Sequence, residues 1–440
     1  MKNRSTEYNV LPLKMNAPEG EKGTVLQPRI VRGPYLQQGT ESSIIICWAT
    51  DAPVKGQVWY GTAPDRLTLT LEETTITCDH KVKISGLSPD KKYYYSVGTS
   101  AGVQEGGTED YFFVLQRVAR SKDIESEPVR PIRVWVVGDA GRANDVAALV
   151  RDGYLKFTGT RHTDLWLMLG DNAYETGTLD EYQQAVFDMY PTLLRNSALW
   201  TAIGNHDAGS ASSLWQTGPY YELFAPPTRG EAGGVASGTA AYYSFDYGNI
   251  HFICLDSYGS DRSPNGEMFT WLARDAAASD KDWQVAFWHH PPYTKGSHDS
   301  DLETELIEMR ERALPILEDA GVDIVLGGHS HAYERSYLID GHYGISDSFI
   351  SKMKKDGGSG REDESGAYQK HHPASHAGTV YIVAGTSGLA DQVFPHAAMH
   401  TSLSVPGSLV LDVQGKRLDV KFIDERGEVK DYFTLKKILV

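Results

Sequence analysis

The sequence predicts an all-β sandwich followed by a larger α/β domain built around parallel strands, and three observations carry that expectation. The chain has 440 residues, beyond the roughly 250 to 300 at which one hydrophobic core stops growing, so two domains are the natural division. Short β-branched and aromatic runs give way, near Gln116 to Pro131, to apolar runs alternating with helix-spaced segments. Five short clusters rich in Asp, Asn, Tyr and His then follow strand-like runs, at 138–141, 170–174, 204–207, 289–293 and 328–331. A parallel sheet sets the ends of successive strands side by side, so residues far apart in sequence meet in one crevice.

The formal charge of -16 argues against nucleic acid or an anionic membrane surface as a general partner, since both reward a basic face. A small anionic substrate answers to the local field of its pocket and is not excluded. Three cysteines, Cys47, Cys78 and Cys254, are too few and too scattered for a disulfide framework or a cysteine metal site. Cys254 lies in an apolar run and reads as a buried hydrophobe, which leaves Cys47 and Cys78 as the two that could pair. No stretch approaches the ~20 apolar residues of a transmembrane helix. Met1 to Lys14 is polar and lacks the apolar segment of a signal peptide, so either the protein is made for the cytoplasm or a signal has been removed.

Residues 1–26 carry Gly, Pro and Lys without periodicity and read as a loosely attached arm. Over 27–118, the runs Ser43 to Thr50, Gly56 to Tyr60, Lys81 to Ile84, Tyr93 to Gly98 and Tyr111 to Leu115 are separated by Gly, Pro and Asp turns, as in a small antiparallel sandwich. Leu87-Ser88-Pro89 is followed by Tyr93, Tyr95 and Val97, which share one face of a strand, and Trp48 falls on an early strand. This resembles the tyrosine-corner end of fibronectin type III modules. Residues 119–131, charged and without apolar period, read as a linker.

From Ile132 the pattern is α/β. Ile132 to Val137 and Leu165 to Leu169 are continuous apolar runs, as strands buried on both faces require. Between them, Asn144 to Phe157 spaces Val146, Leu149, Val150 and Tyr154 for a helix. Further buried strands are expected at Leu199 to Ile203, Ile250 to Leu255, Gln284 to Trp288, Ile324 to Leu326 and Val380 to Val383, with helices at Leu179 to Leu194 and Leu302 to Asp319. The stretch 340–378, rich in Gly, Ser, Lys and His, is expected to be a long loop. Such loops are uncommon and often functional, although a solvated insertion without a role fits the composition equally.

Asp139 and Asp171 each sit in a Gly-Asp step at a strand end. Alone, an Asp in such a turn is usually a turn residue or a helix cap. Two in the same context, the second followed by Asn172 and Tyr174, suit metal binding. A carboxylate between two cations can bridge them with one oxygen on each, at the roughly 3.5 to 4 Å typical of two-metal sites. Asn205 and His206 end a third strand, and an amide oxygen is a neutral, weak ligand fitted to a divalent ion. His329 and His331, two apart in an extended segment, would point to opposite sides and so serve different metals. His289 ends another strand, and Pro291 and Pro292 restrict the backbone after it. Together the five clusters describe a two-metal hydrolytic site.

The set resembles the metallophosphoesterase signature. Tyr174, three residues after Asp171, and the run from His329 to Ser336 narrow the resemblance to the purple acid phosphatases, over about Pro131 to Val440. It implies a catalytic domain over 132–440 with two mixed sheets flanked by helices and a βαβαβ core carrying the metals, preceded by the fibronectin-like domain. It further implies an Fe(III) held by Asp139, Tyr174, His331 and the bridging Asp171, and a divalent Fe, Zn or Mn held by Asp171, Asn205, His289 and His329. Phenolate and carboxylates are hard donors suited to a trivalent ion, whereas imidazoles and an amide suit a borderline divalent one.

An acid phosphatase of this kind hydrolyses phosphate monoesters by attack of hydroxide at the dinuclear centre. Protonation of the leaving group would then fall to His206, which matches a substrate-contacting histidine of the family, and to His298, nine residues after His289, where plant members carry another. His290 departs from the small residue usual there and receives no role; Ala286, where many members have Val, affects packing. The expected partner is a small phosphate ester, with neither nucleic acid nor membrane, and the resemblance points to a secreted or periplasmic enzyme. Two alternatives use the same residues differently. A phosphodiesterase or nucleotidase would share the core, since pocket walls rather than ligands choose the ester. A non-catalytic phosphate-binding or adhesion protein predicts degenerate ligands, whereas all seven positions here carry competent types.

Overall fold

Residues 28–116 and 130–439 are described by the structure, a computed structural model. The arm expected over 1–26 and most of the linker expected over 119–131 lie outside the described residues. The N-terminal strands form two facing sheets. One has the order β1 (Ile30–Gln37), β2 (Ser43–Val54), β5 (Thr77–Ser85). The other runs β4 (Leu69–Glu72), β3 (Gly56–Gly61), β6 (Lys92–Thr99), β7 (Gly102–Gly106), with β8 (Phe112–Val114) also on β6. Trp48, Ile46, Ile84, Val58, Tyr95 and Val97 are buried between them. Tyr93, Tyr95 and Val97 share the inward face of β6, and the Tyr93 hydroxyl accepts the Ser88 N–H at 3.0 Å, the local loop of a tyrosine corner. Cys47 and Cys78 do not pair. In the β2–β5 register Cys47 faces Lys81, three residues past Cys78, and both thiols are free.

The sandwich is fastened to the larger domain through polar groups at the edge of its core. Tyr35 donates to the Leu223 carbonyl at 2.8 Å, Tyr95 to Arg195 at 2.8 Å and Gln37 to Leu199 at 3.0 Å. Each satisfies a carbonyl that would otherwise be buried at a cost.

The larger domain has four layers. One seven-stranded sheet has the order β11 (Ala198–Thr201), β10 (Leu165–Met168), β9 (Ile132–Val137), β22 (Gly407–Gln414), β23 (Arg417–Asp424), β24 (Val429–Leu439), β19 (Tyr368–His372). The second runs β12 (Tyr243–Tyr247), β13 (Ile250–Cys254), β14 (Trp283–Phe287), β15 (Ile324–Gly327), β20 (Val380–Ala384), β16 (Tyr333–Ser336), β21 (Met399–Leu403). Within the first, β9, β10 and β11 are parallel; within the second, β13, β14, β15 and β20 are. The sheets meet face to face through Val134, Val136, Leu165, Leu167, Phe252, Val285, Leu326 and Ile382. The opposite side of the first sheet, with Trp135 and Trp166, is covered by the helix Asp145–Thr158. That of the second is covered by helices Glu267–Ala278 and Thr304–Asp319. Strands covered on both faces carry apolar residues at every position, which explains the unbroken runs.

Two expected elements differ. The helix expected over Leu179 to Leu194 is broken into Leu179–Tyr182, a wide turn at Gln183–Phe187 and Pro191–Leu194. Pro191 has no N–H to continue a helix and instead begins the last turn. The stretch 340–378 is not structureless. It contains β18 (Lys354–Asp356), paired with β17 (Leu338–Ile339), and β19 at the edge of the first sheet, parallel to β24. Its concealing feature is Lys370, which points inward from β19 and is buried against Asp323 at 2.9 Å and the carbonyls of Gly321 and Val322. A lysine inside a strand face masks the alternation that marks a strand. Among the described residues no helix is long and apolar enough to cross a membrane.

Candidate metal centre

The turns after β9, β10, β11, β14 and β15 converge at one edge of the two sheets. The first two are tied together: Asp139 N–H donates to Gly170, Gly141 N–H to Asp171 and Tyr174 N–H to Gly141. Asp139, Asp171 and His329 adopt positive φ of 56°, 51° and 64°, a left-handed conformation that costs non-glycine residues and persists where surrounding contacts impose it. The flanking glycines make room. A Cβ on Gly204 would lie 2.2 Å from the Asp171 carboxylate, and one on Gly328 would lie 2.6 Å from Asp139.

All seven residues expected to bind metal lie in this crevice. His289 Nε2 is 3.1 Å from Asn205 Oδ1, 3.2 Å from His329 Nδ1 and 3.3 Å from Asp171 Oδ2. On the other side, the Tyr174 hydroxyl is 3.2 Å from Asp139 Oδ1 and 3.5 Å from His331 Nε2. Ligand atoms of Asp139, Asp171 and His289 fall within 4.8 Å of one another and join the halves. His329 and His331 therefore face different halves. The chain turns tightly between them, with Ser330 N–H on Gly328 and Ala332 N–H on Ser330, both at 2.7 Å.

The donor set fits cations. His289 Nδ1 is 3.0 Å from the Leu169 carbonyl, His329 Nε2 3.3 Å from Glu303 and His331 Nδ1 2.9 Å from Asp391. Each outer nitrogen thus carries a proton toward an acceptor, which leaves each inner nitrogen free to offer a lone pair to a cation in the crevice, the usual arrangement behind metal-ligating histidines. Inner nitrogens, carboxylates and the Asn205 amide oxygen are then acceptors facing acceptors, whose repulsion is relieved by protons or by cations. Burial pushes the Asp139 carboxyl up to about 8, against the pull of His289 and with the push of Asp171. Burial alone would lower His289, but Asp171 overrides it and raises the imidazole to about 9. Asp171 stays ionised because His289 and the His206 N–H outweigh its burial. Burial and then Asp139 and Asp171 hold the Tyr174 phenol far above its ordinary range, a bias that a cation at its oxygen would reverse.

His206 donates its N–H to Asp171 at 2.9 Å, and its ring packs on Tyr174 at 4.3 Å between centroids. Its Nδ1 meets the Glu175 carbonyl at 2.7 Å, and Nε2 is 3.9 Å from Asp171. The His298 ring packs against that of His329, tilted by 31° with centroids 3.6 Å apart, and its Nδ1 is 2.9 Å from Glu303. His290 is buried, its Nδ1 held by Ser257 at 2.9 Å and its ring 4.3 Å from that of His329.

Sequence reasoning missed several groups that build this edge. Glu303 and Asp391 back two of the histidines. Asp207 receives the N–H groups of Gly204 and Asn172 at 2.8 and 3.1 Å and the Asn172 side chain at 3.0 Å, which locks the third turn onto the second. Asp207 was visible as the last residue of the third cluster, and Glu303 as a carboxylate five residues after His298. Nothing in the sequence near Asp391 marks it.

Two mixed sheets face to face, with acidic, amide and imidazole groups at the ends of five strands, define a metallophosphoesterase domain. Residues 132–333 match the family model described as calcineurin-like phosphoesterase, and residues 32–114 match that of the purple acid phosphatase N-terminal domain. Both domains are therefore similar to those of purple acid phosphatases. It is 30% identical to purple acid phosphatase 15 of Arabidopsis thaliana over 59% of this chain and 50% of that protein. With purple acid phosphatase 1 of Ipomoea batatas the figures are 25%, 75% and 67%. The chain thus spans about half the length of the first of these relatives. A purple acid phosphatase from yellow lupin shares the fold, with a TM-score of 0.69 at 16% identity over 94% of this chain and 75% of the lupin chain. So does PhoD, at 0.60 and 14% over 92% and 90%. The family implies a dinuclear metal centre.

Proposed function

We propose that the chain is a metal-dependent phosphoric monoester hydrolase, an acid phosphatase, whose catalytic domain spans 132–440 and is joined through 119–131 to a bracing sandwich over 27–118. The observation that carries this reading is the inward-facing acceptor set, with each imidazole backed by its own carbonyl or carboxylate. Asp139, Tyr174, His331 and Asp171 would hold one ion, and Asp171, Asn205, His289 and His329 the other. The anionic first group suits Fe(III); the imidazole and amide group suits divalent Fe, Zn or Mn. When bound, the two ions polarise the phosphoryl oxygens and lower the pKa of water to supply a nucleophile.

The chain's own residues do the rest. His206 Nδ1–H donates a hydrogen bond to the Glu175 carbonyl, so its Nε2, turned toward Asp171, is the atom that can hold a proton for the leaving alkoxide. His298 is anchored at Nδ1 by Glu303, which leaves its Nε2 for the same task at the opposite rim. Both rings are about one-third exposed, as groups that must meet a substrate should be. The substrate is a small phosphate ester. A secreted or periplasmic location is the one that the family resemblance supports; fractionation of the native host would test it. The function itself is tested by p-nitrophenyl phosphate turnover in the metal-loaded protein and in folded Asn205→Ala. Activity that survives this substitution undiminished would refute the assignment of the second ion.

A further inference from the structure

Arg142 follows the first ligand turn, and its guanidinium is lightly engaged. Its Cζ lies 4.5 Å from the centroid of the Tyr174 ring. Among the described residues its one ion pair is a 3.6 Å contact with the exposed Glu175, and its Nε is buried with no hydrogen-bond partner. Two buried arginines of the domain are committed: Arg133 grips Asp412 at 2.7 and 2.9 Å, and Arg335 grips Asp431 at 2.6 and 3.1 Å. A guanidinium is a rigid five-donor fork matched to carboxylate and phosphate, and leaving one of its donors buried and unmatched is costly.

We propose that Arg142 receives a second anionic group of the substrate, so that the site favours phosphate monoesters whose organic part carries a carboxylate or another phosphate. This rests on the phosphoesterase reading of the site. The guanidinium stacks on the face of the Tyr174 ring and makes no ion pair with Asp139 or Asp171 among the described residues. It therefore stands at the rim, beyond the oxygens that gather the scissile phosphoryl group. Its backbone is fixed there, because Gly141 N–H donates to Asp171 and Tyr174 N–H to Gly141. The Glu175 carboxylate is 70% exposed and holds Arg142 too loosely to compete with a bidentate anion.

Calorimetric titration of the metal-loaded protein with phosphonoacetate and with methylphosphonate, which lacks the carboxylate, tests this without turnover. Wild type should prefer phosphonoacetate, and Arg142→Ala should lose about tenfold of that preference. Arg142→Lys, which keeps the charge without the fork, should recover part of it. An unchanged ratio of the two affinities in Arg142→Ala would overturn the assignment. Failure of the wild type to bind either phosphonate would overturn the phosphoesterase reading itself.

Discussion

Glu303 is the residue whose removal separates the two halves of the centre. Its carboxylate receives three donors, His298 Nδ1 at 2.9 Å, the Asp299 N–H at 3.0 Å and His329 Nε2 at 3.3 Å. Burial alone would raise this carboxyl, but the His329 contact leads the groups that hold it down, to about 2, so it is an anion across the neutral pH range. Glu303→Gln keeps the shape and removes the charge behind His329. Loss of such a backing group typically weakens metal affinity about 10- to 100-fold. The side chain is 34% exposed, so water offsets part of the loss and the expected effect is near about tenfold, or ~1.4 kcal/mol. Asp391→Asn is the mirror experiment behind His331, where the contact is 2.9 Å but Asp391 is 42% exposed. Stepwise chelator titration followed by elemental analysis should find Glu303→Gln losing the divalent ion first and Asp391→Asn weakening the ion beside Tyr174. If each variant releases both ions together, or neither more readily than wild type, the partition of ligands between the two halves is wrong.

Asp207→Ala would leave the Gly204 and Asn172 N–H groups without their acceptor and take one of two acceptors from the Asn172 side chain; a loss of about 3 kcal/mol is expected in denaturant unfolding, and a loss below about 1 kcal/mol would refute its bracing role. Glu334 is buried on β16, and burial lifts its carboxyl from the ordinary 4.5 to about 7 despite Thr294 and Lys295. Its retained proton stabilises the fold fully below about pH 4.5, and that contribution is lost as pH rises through 7. Glu334→Gln should therefore gain on wild type by up to about 3 kcal/mol between pH 5 and 8; paired melts with a pH-independent difference would contradict this. Iron-loaded wild type should absorb in the visible through the Tyr174 phenolate, and Tyr174→Phe should abolish that band; an unchanged spectrum would remove Tyr174 from the Fe(III) site.

Much of the site was legible because its parts are local. A Gly-bracketed Asp, Asn or His at the end of an apolar run needs only the strand and its turn to be placed, and parallel order does the rest, as Asp139, Asp171 and Asn205 illustrate. The group behind His331 was not legible, because Asp391 reaches it across 60 residues and no local pattern predicts that pairing. Lys370 hid β19 for a related reason: its charge is acceptable inside only because Asp323 and two carbonyls meet it there. Arg142 carries no local mark in the sequence, because only the fold sets its guanidinium over the ring of Tyr174. Whether Cys47 pairs with Cys78 was left open by the sequence and is decided by register, which sets Cys47 opposite Lys81.

The number of metal ions held per chain is the property that decides whether the crevice is a two-ion centre. Elemental analysis of the purified, desalted protein should find close to two ions, of which iron is one, and about one in Asn205→Ala. A wild-type protein that is folded and active on p-nitrophenyl phosphate yet retains fewer than one ion per chain would contradict it.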